Sequence, residues 1–404
     1  MRTSWFASTS LRAVDSRQRF VALIIGVLVA SSGGLILASA EATLAKLPGL
    51  LLLLPGAIAL RGNIFGSMGS RLGTAAHTGT FGLSYRIESV LIQNLLVSGS
   101  LSLISSFVLA ILAKGTASAF GLSSAMTLAD FIVISVIGGL LSSIVLAVVT
   151  ILLSVGSVKF EWDLDNVVAP LVTTTGDLLT VPSLILASYL ADRSDLTNGL
   201  ALFIATVSAI VLIFSFKTSL DRFRRIFRQS IPVLGFAVVL DLIAGFVVER
   251  RLKDLLEVEA ILVLLPAFLG IAGALGGILS SRLSTQFHLG MDDASPLPSR
   301  SSLRGVIDLS AMAVPMFIFS GVIAHLISLG AGQSTPGVVK LVLISAIAGS
   351  IATVFVCAVA YYTTMGSFRF GLDPDTYGIP VVTSSLDLVG ALTVILAMVL
   401  TGVI

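Results

Sequence analysis

Two aspartates set the chemistry of this chain. Asp177 follows Thr173, Thr174, Thr175 and Gly176, and Asp387 follows Thr383, Ser384, Ser385 and Leu386. Each stands a few turns beyond a helix start marked by a proline, Pro170 or Pro380, and a short acidic cluster, Asp163 and Asp165 or Asp373 and Asp375. About seven residues past the proline, at 1.5 Å each, place the carboxylate roughly 10 Å along the helix, within an apolar segment. An ionised carboxylate there costs roughly 2.5–3.5 kcal/mol on insertion scales, so each one needs a reason. A hydroxyl-rich turn followed by a carboxylate offers oxygen ligands only. That suits a hard cation such as Mg2+ or Ca2+, or the water shell of one, and suits a soft metal badly. The other role open to each Asp is to pair with a buried base or to cap a broken helix.

Pro55, Gly62 and Asn63 form a second pattern, P-x6-G-N, inside one apolar stretch. Proline and glycine together loosen the helical hydrogen-bond ladder and offer backbone carbonyls and the Asn63 amide to a water-filled path. Close packing through Gly62, Gly66, Ser67, Gly69 and Ser70 accounts for the glycines equally well. The amide is different, because buried amides need partners. Asp163, Asp165, Asp373 and Asp375 fit two roles: a cytoplasmic mouth that concentrates cations, or helix N-termini that favour acids. Arg71, Arg282, His77 and His288 read as interfacial anchors. Arg61, Glu88, Asp130, Asp241 and Asp308 have no match elsewhere in the chain and read as local ion-pair or interface residues.

The elements that carry these residues occur twice. Pro55, Gly62, Gly66, Ser70, Arg71, Leu72, Thr74, His77 and Gly79 recur without a gap in the stretch from Pro266 to Gly290, and 160–191 matches 370–401 at nearly the same offset. The chain is an internal duplication, and each copy holds both motifs in the same order. Repeated halves in a very apolar chain are a common plan for transporters, with the site where the halves meet.

With 404 residues, 56% hydrophobic and 11% charged, and a mean hydropathy of +1.05, the chain has too little polar surface to coat a soluble globule. The expected fold is an all-α polytopic membrane protein. Apolar stretches long enough to cross about 30 Å of hydrocarbon fall near 20–40, 47–69, 89–113, 130–157, 169–191, 198–216, 231–248, 258–281, 304–329, 337–364 and 378–403. The first is too long, and too closely followed by a second, for a cleaved signal peptide, so the N-terminus is expected to be retained. The single cysteine, Cys357, lies within a span and excludes a disulfide or a cysteine metal site.

Lys and Arg concentrate on alternate loops, above all in the run from Lys217 to Arg228. The positive-inside rule then puts the N-terminus in the cytoplasm and, after eleven spans, the C-terminus outside a cell membrane. Five spans per copy would invert the second copy; the span at 198–216 restores its direction. The expected organisation is a cytoplasmic segment 1–19, a first repeat 20–191, a linker 192–230 with an extra helix and a basic cytoplasmic loop, and a second repeat 231–404. The two repeats are expected to be parallel, related by a pseudo-twofold axis along the membrane normal.

Pro55-x6-Gly62-Asn63 with Ser70-Arg71-Leu72-x-Thr74, and Asp373-Pro374-Asp375 with the run Pro380 to Asp387, resemble the transmembrane domain of MgtE-type magnesium transporters. Two such domains in one chain resemble the solute carrier 41 group, and they cover nearly everything from about residue 20 onward. The resemblance implies helices that line a central cation path, with the acid of the second motif as pore ligand, here Asp177 and Asp387. Gly62, Asn63, Thr173, Thr174, Thr383 and Ser384 would support that path. The second copy has Gly273-Ala274 where the family has Gly-Asn, and the first has Asp163-Leu164-Asp165 where a proline is expected, so the path should be lopsided. A large cytoplasmic gating region like that of bacterial MgtE has no expected counterpart, since the N-terminal polar segment ends near Arg19.

The expected activity is transport of a divalent cation, Mg2+ first, by a monomer that mimics a homodimer, with no enzymatic cofactor and no nucleic-acid partner. The alternative is a secondary transporter of an organic solute in which the two acids bind coupling ions. That would call for an aromatic or Arg-lined pocket, whereas the acids sit among small hydroxyl residues and Gly176. A membrane enzyme acting on Mg2+-pyrophosphate would need acids several residues apart on one helix face with bases nearby. Here they are spaced by two and flank a helix start.

Overall fold

A backbone crossing hydrocarbon must satisfy its N–H and C=O groups internally, and the computed structural model follows that rule. It describes residues 2–77, 82, 86–122, 126–160, 164–191, 194–288, 290–371 and 374–404, and among these the regular structure is helical throughout. Eleven helices are long and apolar enough to span a membrane. They are α1 (Arg2–Ser39), α3 (Leu50–His77), α4 (Val90–Ala119), α5 (Leu128–Phe160), α6 (Leu164–Ser188), α7 (Ser194–Lys217), α8 (Asp221–Arg250), α10 (Ala260–His288), α11 (Arg300–Gly330), α12 (Val338–Arg369) and α13 (Pro374–Leu400).

Two short helices, α2 (Glu41–Lys46) and α9 (Leu252–Glu257), fill equivalent places before α3 and α10. Sequence periodicity does not resolve such one-turn pieces; each buries one leucine, Leu44 or Leu255. The basic run Arg222 to Arg228 is not a loop. It forms the first turns of α8, which starts at Asp221 only three residues after α7 ends, because the run contains good helix formers and an acid at its first turn suits the helix dipole.

α3 and α10 are the most buried spans and α7 the least; α7 turns Leu202, Phe203, Ile210 and Phe214 outward, as a lipid-facing helix should. Around the centre, α3 packs on α6 and α10 packs on α13. The first helix of each half crosses over: α1 lies against α10, and α8 against α3. These crossings depend on bare backbone. A Cβ on Gly34 would stand 2.5 Å from the Val263 carbonyl oxygen and 2.8 Å from that of Leu262, and one on Gly245 would stand 2.4 Å from the Leu52 oxygen. Pro266 removes the N–H that would otherwise bond Leu262 O, and that freed carbonyl is one of the two oxygens against which bare Gly34 packs.

Candidate cation site

Between α3, α6, α10 and α13 lies a cavity with about 70 Å³ open to the centre of a water molecule. Its walls are matched pairs from the two halves: Pro55 and Pro266, Gly62 and Gly273, Thr173 and Thr383, Asp177 and Asp387. Small residues make the space. A Cβ on Gly62 would reach 3.0 Å from Thr173 Cγ2, and one on Gly273 would reach 3.5 Å from Thr383 Cγ2. Each glycine therefore lets the hydroxyl-bearing helix of its own half approach.

Asp177 is 3% exposed. A Cβ on Gly270 would stand 3.0 Å from its Oδ2, so the glycine leaves that carboxylate its place in the wall. Asp387 is half-buried in the same cavity. Among the described residues no three His, Cys, Asp or Glu side chains converge on one point that would hold a metal ion. The two acids thus face a shared space rather than forming a closed cage.

Asn63 bridges the halves. Its Oδ1 lies 3.0 Å from Thr383 Oγ1, which is also 3.0 Å from Ile379 O, while the buried Nδ2 has no partner. The oxygen and nitrogen of an amide are assigned from their hydrogen bonds. Turned over, Nδ2 donates to Thr383 Oγ1, the threonine proton goes to Ile379 O, and Oδ1 takes the buried place of Nδ2.

Neighbouring hydroxyls diverge. Thr173 and Thr383 line the cavity, but Thr174 is turned to α1, 3.2 Å from a Cβ on Gly26. Ser384 is buried away from the cavity with its Oγ unpartnered. Thr175 returns its hydroxyl to Leu171 O at 2.6 Å. Asp163 and Asp373 lie outside the described residues. Asp165 and Asp375 fall in the first turns of α6 and α13, and their side chains are likewise outside the described part.

Two buried charges depart from the expectation of local ion pairs. Arg61 is fully buried; its Nη2 donates to Ser106 Oγ at 2.6 Å, while Nε and Nη1 have no partner. Asp241 of α8 is also fully buried and faces Asp387 and Ser384, yet neither of its oxygens closes a hydrogen bond. Arg61 points toward α4 and α5, where Gly139 makes room for its guanidinium, so it does not serve Asp241. An acid in the middle of an apolar span was the available signal for Asp241; it lacked only a match in the other copy.

A profile of the MgtE divalent cation transporters matches residues 54–187 and 265–397, the two stretches that contain the paired motifs. Mouse solute carrier family 41 member 3 is 25% identical over 356 residues, covering 82% of this chain and 71% of its own. Mouse and human solute carrier family 41 member 2 are each 25% identical over 356 residues, covering 82% of this chain and 61% of their own; the chain thus spans about three fifths of the member 2 proteins. The eukaryotic MATE transporter AtDTX14 superposes with a TM-score of 0.36 and 13% identity over 96% of each chain, a likeness too loose to bear on fold or mechanism.

Proposed function

This chain belongs to the MgtE family of divalent cation transporters, and from that premise we propose that it carries Mg2+ through the cavity between its halves. The observation that carries the reading is the convergence of Asp177 and Asp387, from equivalent helices of the two copies, on one cavity. At about 70 Å³ the cavity is well above the roughly 10–15 Å³ that one water needs, so it has room for several. Mg2+ sheds water reluctantly and keeps several ligand waters, so the two carboxylates would hold it largely through its shell, with the Asn63 amide and the Thr173 and Thr383 hydroxyls as further polar groups of the wall. The absence of a closed three-acid cage among the described residues supports a hydrated cargo over a stripped one.

In this reading the repeats 20–191 and 231–404 flank the path as a monomer that imitates a twofold dimer. The reciprocal packing of α1 on α10 and α8 on α3 supports that arrangement. An inside-negative potential assists uptake by about 4.6 kcal/mol per 100 mV for a doubly charged ion, twice the unit-charge value, so no second ion is required to drive it. Proteoliposomes holding the full chain are expected to take up Mg2+ faster as the interior is made more negative. Uptake equal to that of empty vesicles, from a protein that remains folded, would overturn the reading.

The same reading has the N-terminus inside and the C-terminus outside a cell membrane, supported by the basic first turns of α8 and the other basic loops. Replacing Cys357 by Ala gives a cysteine-free chain, and Val403→Cys in that background is expected to react with an impermeant thiol reagent added to intact cells. Reaction only after the cytoplasm is opened would reverse the assignment.

A further inference from the structure

Asp241 has no structural reason to be charged where it is. A carboxylate removed from water is expensive, and here the side chain is 0% exposed with only Ser384 and Asp387 within reach of its oxygens, neither at full hydrogen-bond geometry. Beside it lies a second orphan, the fully buried Ser384 Oγ. The remaining neighbour is Asp387, whose other side is the cavity wall. A further acid and a hydroxyl thus stand behind one of the two cavity carboxylates, with no base among the described residues turned toward them.

The first half has nothing of the kind. Gly34 and Gly245 make the same backbone contact on opposite crossings, which aligns α1 with α8 and makes Ala30 the counterpart of Asp241. Asp177 therefore has a methyl group near it: a Cβ on Gly270 would lie 3.0 Å from Asp177 Oδ2 and 4.0 Å from the Ala30 Cβ.

We propose that Asp241, Asp387 and the Ser384 hydroxyl form a second, off-axis station on the cation route, where a divalent ion is held by direct contact with carboxylate oxygens. Two carboxylates match a doubly charged ion, and the donors are all hard oxygen. Asp241 does not line the cavity, so an ion that reaches it leaves part of its water behind. Cations that dehydrate more readily than Mg2+, such as Mn2+ and Ca2+, are therefore held better at this station than in the cavity. A weak first site followed by a tighter neighbour sharing one ligand lets a following ion dislodge the one ahead.

The inference rests on Asp387 being a cation ligand, and the test separates the two. Mn2+ binding to the purified full chain is measured by electron paramagnetic resonance, with Mg2+ as competitor. Asp241→Asn is expected to weaken Mn2+ binding at least tenfold, since even a group that only orients a metal ligand is worth about 10- to 100-fold. Its thermal stability should hold or rise, because the amide removes a buried charge. In Asp241→Ala, adding Ala30→Asp is expected to restore Mn2+ affinity to within a few-fold, since the new acid stands beside Asp177 as Asp241 stands beside Asp387. Wild-type affinity in Asp241→Asn overturns the second station and leaves the cavity reading intact. Weakened binding accompanied by a lowered melting temperature, with no rescue by Ala30→Asp, assigns Asp241 to packing and overturns it too. If neither Mn2+ nor Mg2+ binds the wild type, both readings fall. Should Ala30→Asp prevent folding, Asp241→Asn decides alone.

Discussion

Vesicles bearing the double variant Asp177→Asn/Asp387→Asn are expected to take up no more divalent cation than empty ones, while the protein keeps its fold. The two carboxylates meet in a buried space whose wall is mostly proline, glycine and aliphatic side chains, with Asn63, Thr173 and Thr383 as its other polar groups, and there each charge counts for more than it would in water. Truncating one partner of a buried charge interaction costs about 2–5 kcal/mol, so each single substitution should lower flux on the order of a hundredfold or more. The amide keeps the volume and most of the shape of the carboxylate, so the loss reports charge rather than packing. A site with one acid should also admit monovalent ions more readily, because preference for a doubly charged ion depends on summed negative charge. Both acids act on one ion across one cavity, so the second substitution should cost far less than the first measured alone. Flux in liposomes together with calorimetric Mg2+ binding checks this. Wild-type flux in the double variant would remove both acids from the path, and independent multiplicative losses would assign them to two separate ions.

Asn63→Ala is expected to reduce Mg2+ flux about tenfold, and Ala274→Asn to improve it far less. A hydrogen bond of the ordinary kind contributes about 0.5–1.5 kcal/mol, up to roughly one decade, and the alanine removes both the contact to Thr383 Oγ1 and an amide of the cavity wall. An asparagine at 274 would enter a different setting. Ala274 borders a small crevice with Gly26 and Thr174 rather than the main cavity. Equal and negligible effects from both substitutions, in folded protein, would return Asn63 to a packing role.

Much of the site was legible because the duplication states it twice. Pro55, Gly62, Thr173 and Asp177 and their partners Pro266, Gly273, Thr383 and Asp387 line one cavity, and the apolar runs mark eleven spans with the start of α8 as the main displacement. What stayed hidden has physical causes. Successive residues on a helix point about 100° apart, so a run such as Thr173, Thr174, Thr175 cannot tell which hydroxyl meets the path; only the packing of α1 and α6 does. Spans that are apolar all round give no indication of which neighbour each face meets, so the crossing of α1 and α8 was not readable. Asp241 carried the same signal as Asp177, an acid within a span, but symmetry across the repeat is a filter that discards whatever a lopsided site has on one side only.

The crossing has a consequence for how the protein is made. When α1 leaves the ribosome and enters the membrane, the surface that will cover Gly34, the carbonyls of Leu262 and Val263, lies more than two hundred residues away in mRNA not yet read. The first five spans therefore cannot reach their final arrangement on their own: α1 must wait in lipid, held by α6, with its small-residue face unclaimed. The reverse debt is settled at once, since α8 finds α3 already in place. Completion of the molecule is thus set by the arrival of α10, and a chain interrupted before that helix leaves the face of α1 around Gly34 without its protein cover.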